Sequence, residues 1–368
     1  MPVVSLNLPS YAYDIVIEPD SLRKLGSALK ARGLGQKSQK VLIVSHPLLF
    51  THYGIKLIEG LEEAGFSPSV LLLPPGERFK TPKTLYKIYD CAQANHLERS
   101  SLMIAFGGGV IGDMTGFAAA TWLRGIDFVQ VPTSLLAMVD ASIGGKTGIN
   151  HTKGKNLIGA FHQPRLVWID PLLLQTLPGR EFRSAMAEVI KYGVIWDEDL
   201  FKLLEQAPRL DQLRYIPAHL SEEILTRCAQ AKATIVMTDE KEKGLRALLN
   251  FGHTIGHGIE TATHYKINHG EAVGIGMILA SQIALRAGLW TEECHQRLLN
   301  LVRQARLPEQ IPDYAPITEI SNALWSDKKV EAGKLRFVLP TRIGQGTITD
   351  NIPIDLVKEI LTIGYTKS

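Results

Sequence analysis

The chain has 368 residues, of which 45% are hydrophobic and 21% charged, with a formal net charge of +3. That length exceeds what one hydrophobic core ordinarily serves, so two domains are expected, and the composition is that of a folded globular protein and not a disordered one. The small net charge argues against a nucleic-acid partner, and no run approaches the 18 apolar residues of a membrane span. The first residues, MPVVSLNLPSYAYDIVI, lack the basic segment and apolar core of a signal peptide. Cys91, Cys228 and Cys294 are odd in number and far apart, so neither a disulfide framework nor a metal knuckle is expected. A cytoplasmic protein with reduced thiols is the expectation.

Residues 3–8 and 13–17 alternate in the period-2 manner of a strand pair. Asp20 is then expected to cap a helix over 21–31. Short apolar strands at 41–45, 70–73 and 101–106 alternate with helices at 47–65 and 83–95, which predicts a parallel sheet covered on both faces. Beyond residue 180 the spacing becomes helical at 180–192, 200–206, 221–238, 244–263, 271–287 and 292–304. Strand signals return only at 335–339 and 346–350. The chain therefore reads as an α/β domain with a parallel, Rossmann-like sheet over 1–178, followed by a mostly α-helical domain over 179–368. The boundary falls at Leu177-Pro178-Gly179.

Gly107-Gly108-Gly109-Val110-Ile111-Gly112-Asp113 satisfies GxGxxG where a predicted strand enters a predicted helix. Backbone amides at a helix N-terminus bind a pyrophosphate, so this loop predicts a dinucleotide. It is not a standard Rossmann fingerprint, because it follows the third strand and Asp127 begins the next strand where an acid should end it. Downstream, Lys146 lies in Gly144-Gly145-Lys146-Thr147, and Lys155 and Asn156 follow. Lysines among glycines suit an anion, since glycine lets the backbone approach closely. The first glycine of a P-loop is missing.

His253, His257, His264 and His269 fall within seventeen residues. A lone HxxxH pair is more often a packed or surface pair. Four histidines beside Asn250, several glycines and Glu271 instead suggest a metal site made by two of them and one acid from elsewhere. Glu188 and Lys191, three apart on one predicted helix, share a face.

Taken together, GGGVIGD at 107–113, VDASIGGKTGIN at 139–150, GKN at 154–156, AEVIKYG at 187–193, LNFGHTIGH at 249–257, HGEAV at 269–273 and DKK at 327–329 resemble the 3-dehydroquinate synthase family of sugar-phosphate cyclases. The motifs come in that family's order and cover nearly the whole chain. The resemblance implies NAD, one divalent metal (zinc or cobalt) and 3-deoxy-D-arabino-heptulosonate 7-phosphate as substrate. It implies Glu188, His253 and His269 as metal ligands, with His257 beside them as a hydrogen-bonding or proton-relay residue. Glu77, Lys80, the loop from Gly108 to Asp113, Thr133, Ser134, Lys146 and Lys155 would hold NAD. Asp140, Lys146, Asn156, Lys191, Lys232, Arg246, Asn250 and Lys328 or Lys329 would line the substrate site. Arg124 would reach the substrate phosphate of a neighbouring subunit, implying a homodimer. Ser45-His46 stands where the family usually has an Asp for the adenosine ribose. Ser134 replaces a threonine, and Gly258 an alanine.

The implied reaction oxidises a substrate hydroxyl with NAD, eliminates phosphate, returns the hydride and closes the ring by an intramolecular aldol step. Two rival activities share the architecture. One is a cyclase acting on sedoheptulose 7-phosphate or glucose 6-phosphate, which Lys232, Arg246 and Asn250, suited to a carboxylate, disfavour. The other is a metal-dependent alcohol dehydrogenase of the glycerol dehydrogenase kind, which the lysine loops disfavour. A non-enzymatic binding module has no need of a metal triad beside a dinucleotide loop.

Overall fold

A computed structural model describes residues 2–9, 11–241, 244–326, 330–331 and 334–365. They form two compact units, Met1–Leu177 with Lys232–Met237, and Pro178–Ala231 with Thr238–Ser368. No described helix is long and apolar enough to cross a membrane.

The first unit runs β1 (Val3–Leu8), β2 (Tyr11–Ile17), α1 (Leu25–Ala31), β3 (Lys40–Ser45), α2 (Pro47–Glu63), β4 (Ser67–Leu72), α3 (Pro82–Ala94), β5 (Leu102–Gly107), α4 (Gly109–Thr121), β6 (Asp127–Pro132), β7 (Lys146–His151), β8 (Gly154–Phe161) and β9 (Leu166–Ile169). Seven strands make one sheet in the order β1-β2-β9-β6-β5-β3-β4, parallel except for the β1–β2 pair. The central strands β5 and β9 are buried along their whole length, which explains their unbroken apolar sequences. Leu42, Val44, Met103 and Ala105 pack with Leu85 and Ile88 of α3 and with Ile111, Met114 and Ala118 of α4. From β3 the chain steps outward to β4, whereas from β5 it steps the opposite way to β6. The direction of winding thus reverses between β3 and β5, where open α/β sheets bind ligands beyond the strands' carboxyl ends.

Two local expectations fail here. Asp20 does not cap a helix: its φ is 54° and its carboxylate pairs with Lys56. Asp170 takes that role from the end of β9, accepting from the N–H groups of Asp20, Ser21 and Leu22 at 3.0, 2.9 and 3.2 Å. The lysine-rich stretch, read as loops, forms the β7–β8 hairpin, paired from Lys146↔Phe161 to Ile149↔Ile158.

The second unit contains α5 (Gly179–Ile195), α6 (Glu198–Glu205), most of α7 (Ala218–Thr238), α8 (His253–Ala262), α9 (His269–Arg286), α10 (Glu292–Gln304), α11 (Ile317–Ser326), β10 (Val330–Glu331), β11 (Lys334–Leu335), β12 (Phe337–Arg342), β13 (Gln345–Thr349) and α12 (Ile354–Ile363). The fold class matches the sequence reading: a mainly parallel α/β part, then a mainly helical one. The single helix expected over 244–263 is instead a 3-10 turn, Leu245–Asn250, followed by Gly252 at φ 76° and then α8. A β-carbon at Gly252 would stand 2.6 Å from Met277 Cγ and 2.8 Å from the Val273 carbonyl oxygen. Glycine is needed there both for its dihedral and for the approach of α9. α11 and α12 were not anticipated.

Candidate metal centre and dinucleotide loop

Three elements of the second unit bring the metal candidates together. α5 is buried on every side from Ser184 to Ile195, so Glu188 lies inside the unit, 2% exposed in its side chain. The break at Gly252 sets His253 at the first position of α8, with His257 one turn on. α9 opens on His269, fixed by a capping box between Asn268 and Glu271; Glu271 also accepts from Arg180 at 3.0 and 2.8 Å. A β-carbon on Gly270 would stand 1.7 Å from the Ser184 carbonyl oxygen. Only glycine therefore lets the first turn of α9 press against α5 one turn before Glu188.

The outcome is a compact donor set. Glu188 Oε1 lies 3.3 Å from His253 Nε2 and 3.6 Å from His269 Nε2, and one ligand atom from each residue falls within 4.8 Å of the others. A tetrahedral ion with bonds of about 2.0–2.1 Å holds its ligands about 3.3–3.4 Å apart, so these spacings fit a cation. Glu188 Oε1 is buried and makes no hydrogen bond among the described residues. An orphaned carboxylate oxygen facing two imidazoles suits a metal donor set.

The outer nitrogens support this. His253 Nδ1 is 3.0 Å from the Phe251 carbonyl oxygen, and His269 Nδ1 is 3.1 Å from Glu260 Oε2. Both partners can only accept, so both Nδ1 atoms carry the proton, and Nε2 faces inward, the arrangement typical of metal-bound histidine. Glu260 was missed in the sequence. Its signal was its spacing: three residues after His257 and seven after His253, on one face of α8.

Burial pushes the Glu188 carboxyl up, but Lys191, His253 and His269 outweigh it and hold the group well below the ordinary carboxylate range. Burial pushes His253 down. Burial acts the same way on His269, but Glu188 and Glu260 overcome it and raise the group to about 9. Lys191 Nζ is ion-paired with Glu188 Oε2, both side chains being buried.

In the same unit, Arg246 is 1% exposed. One guanidinium nitrogen donates to the Glu240 carbonyl at 2.7 Å, while Nε makes no hydrogen bond and the group no carboxylate ion pair among the described residues. Such a buried cation calls for an anionic ligand. Asn250 is half-buried two residues before Gly252. His264 stands apart, exposed on the turn after α8. Lys328 and Lys329 lie outside the described residues.

In the first unit, the glycine loop closes β5 and opens α4. Its N-cap, Gly108, offers no side-chain acceptor to the first-turn amides of Gly109, Val110 and Ile111, which leaves those donors for an anion. A β-carbon on Gly108 would come 3.2 Å from Ser134 Oγ, and one on Gly109 would come 3.3 Å from Ala141 Cβ. Thr133 is buried, and its amide donates to the Gly107 carbonyl at 3.0 Å. Gly112 and Asp113 follow in the first turns of α4. Buried Lys80 pairs with Asp113 and donates to Asn156 Oδ1. Burial raises the Asp113 carboxyl to about 6 against the pull of Lys80. Lys232 pairs with Asp140 at 2.5 Å. Lys146, Lys155 and Glu77 have exposed side chains. Arg124 is exposed on a turn where Leu123, Arg124 and Gly125 have φ of 49°, 71° and 122°.

Comparisons with known proteins identify the family. Residues 70–184 match the family model for the 3-dehydroquinate synthase N-terminal domain, and residues 185–330 that for its C-terminal domain. A 3-dehydroquinate synthase from Nostoc punctiforme is 58% identical over 360 residues, 98% of either chain. Among solved structures, 2-epi-5-epi-valiolone synthase from Streptomyces hygroscopicus subsp. jinggangensis, with NAD+ and Zn2+ bound, superposes with a TM-score of 0.86 at 30% identity, over 97% of this chain and 98% of that one. A 2-deoxy-scyllo-inosose synthase complexed with carbaglucose-6-phosphate, NAD+ and Co2+ gives 0.88 at 26% identity, over 99% and 100%.

Proposed function

The chain belongs to the 3-dehydroquinate synthase family, and from that premise we propose that it converts 3-deoxy-D-arabino-heptulosonate 7-phosphate to 3-dehydroquinate and phosphate, using NAD and one divalent cation, zinc or cobalt. The observation that carries the chemistry is Glu188 Oε1, buried without a hydrogen bond and facing the Nε2 atoms of His253 and His269. Protein reconstituted with zinc and supplied with NAD and the heptulosonate phosphate should form 3-dehydroquinate, read by mass spectrometry. No product with the metal and NAD both shown bound would reject the reading.

In this proposal residues 1–178 bind NAD, and residues 179–368 bind the metal and substrate. Glu188, His253 and His269 hold the cation, which would supply Lewis acidity toward substrate hydroxyls. NAD would supply a reversible hydride acceptor. Glu77, Lys80, residues 108–113, Thr133, Ser134, Lys146 and Lys155 hold the dinucleotide; the amides of α4 meet its pyrophosphate. Arg246, with Lys232 and Asn250, takes the substrate carboxylate, since a guanidinium matches a carboxylate in a two-point fork. Lys146, Asn156, Lys191, Asp140 and Lys328 hold the rest of the sugar phosphate. His257 serves as a hydrogen-bonding or proton-relay residue, its Nε2 lying 4.0 Å from Glu260 Oε2. We place the protein in the cytoplasm; recovery of the activity from an exported or membrane fraction would contradict that.

The proposed assembly is a homodimer in which Arg124 serves the partner's substrate phosphate. The left-handed backbone at Leu123 and Arg124, costly for residues with a β-carbon, supports a functional reason for holding the side chain outward. Arg124→Ala should lose most turnover while keeping its metal. Mixed with inactive His253→Ala protein, it should regain part of the activity through hybrid dimers. No recovery, with subunit exchange shown independently, would refute the shared site.

A further inference from the structure

The β7–β8 hairpin carries a defect whose consequences converge on one side chain. Its ladder is regular from Lys146↔Phe161 to Ile149↔Ile158 and then shifts, so that the next pair is His151↔Gly154. Asn150 on one strand therefore faces three residues, Lys155, Asn156 and Leu157, on the other. A bulge of this kind frees backbone groups from the ladder and re-aims side chains. Asn156, at its centre, has φ of 55°, a left-handed conformation that asparagine tolerates better than most residues but still at a cost.

The groups released by the bulge are taken up by Asn150. The Asn156 amide donates to Asn150 Oδ1 at 2.8 Å. The Asn150 amide donates to the Lys80 carbonyl at 2.8 Å, and Asn150 Nδ2 donates to Glu77 Oε1 at 2.7 Å. The ring is closed on the far side by Lys80 Nζ, which donates to Asn156 Oδ1 and pairs with Asp113. One primary amide thus uses its acceptor on Asn156 and a donor on Glu77. Its own backbone meanwhile anchors Lys80. A carboxylate or an alkyl side chain at position 150 could not do both.

We infer that Asn150 is a positioning residue for the dinucleotide site: it holds the Glu77–Lys80 turn and the left-handed Asn156 in one arrangement before any ligand arrives. This rests on the reading that Glu77, Lys80 and Asn156 face the cofactor and substrate. Groups fixed in advance bind without a further ordering cost, so loosening the ring weakens NAD binding without touching any atom that contacts NAD.

The test is a double-substitution cycle read by direct titration of NAD into the metal-loaded protein. Asn150→Asp keeps the acceptor for Asn156 but sets a second carboxylate against Glu77. It should weaken NAD binding by about tenfold or more, as expected for losing a charged hydrogen bond. Glu77→Gln restores a donor facing the carboxylate introduced at position 150. In that background the Asn150→Asp change should cost less than about twofold, a coupling that a merely structural role would not produce. Metal content should stay at the wild-type level in all three variants. Equal losses in both backgrounds, or no loss in either, would overturn the positioning role. Failure of wild-type protein to bind NAD would instead reject the cofactor reading on which it rests. Should Asn150→Asp alone fold poorly, the comparison of Glu77→Gln with the double variant still decides the matter, since a loss of about tenfold there contradicts the proposal.

Discussion

His253→Ala should cut bound zinc from about one ion per chain to a small fraction of that when free zinc is held roughly tenfold above the wild-type dissociation constant, and abolish turnover with it. Apparent binding free energies at tight zinc sites are about 10–16 kcal/mol, so removing one of three protein ligands costs on the order of 4 kcal/mol, close to a thousandfold in affinity. The fold should survive, because His253 sits at the start of α8 and, among the described residues, its ring hydrogen bond is to the carbonyl of Phe251. The metal-free wild type supplies a second reading of the same site. His269, raised against burial to about 9 by Glu188 and Glu260, is protonated at neutral pH on Nε2 as well as Nδ1. A metal must displace the Nε2 proton, so affinity should rise roughly tenfold per pH unit below about 9 and level off above it. The sign for metal-free stability is opposite. Because the folded value lies above the ordinary 6.5, the contribution of His269 is fully present below about 6.5 and is lost as the pH rises through about 9. Metal analysis of His253→Ala at full occupancy, or a metal affinity flat from about pH 6 to 9, would overturn the ligand assignment.

Arg246→Lys should separate this activity from its relatives. Arg246 is buried with Nε unused among the described residues, and lysine cannot reproduce a two-point fork. Losing a charged hydrogen bond costs about 1.5–3 kcal/mol, or ten- to a hundredfold. The Michaelis constant for the heptulosonate phosphate should rise by that factor, with metal content and NAD binding unchanged. Sedoheptulose 7-phosphate lacks the carboxylate, so wild type should use it poorly and the substitution should barely affect it. Equal weakening of both substrates, or a wild-type preference for the second, would assign the chain to another cyclase of the same architecture.

Much of the metal centre and of the glycine loop is legible in the sequence because the chemistry of each is local. His253 and His257 advertise a shared helix face by spacing alone, and the glycine loop announces itself by its place between strand and helix. The parallel sheet was readable because buried strands such as Leu102–Gly107 are apolar without interruption. Contacts that close over long separations are not readable in this way. Asp170 satisfies amides at residues 20–22, a pairing that no local pattern encodes. Glu188 as the third donor, and Glu260 behind His269, depend on α5, α8 and α9 meeting, which Gly252 and Gly270 permit through backbone proximity. Spacing left open which histidines and which acid would converge; the resemblance named a set, and these three helices bring it together. The β7–β8 hairpin was hidden for a different reason. Its ladder is made by backbone groups, while its glycines and lysines carry the composition of a loop. The broken helix at 244–263 kept a helical spacing of side chains across a backbone that turns at Gly252.

In this activity NAD is a catalyst within one reaction and not a net reactant. The most direct test follows inorganic phosphate and NADH absorbance together, in one reaction containing the zinc-loaded protein, NAD and the heptulosonate phosphate. Phosphate should accumulate over many turnovers, while NADH never exceeds the amount of enzyme, because the hydride taken from the substrate is returned before product leaves. NADH rising in step with turnover, without phosphate, would contradict the cyclase reading and mark the chain as a dehydrogenase.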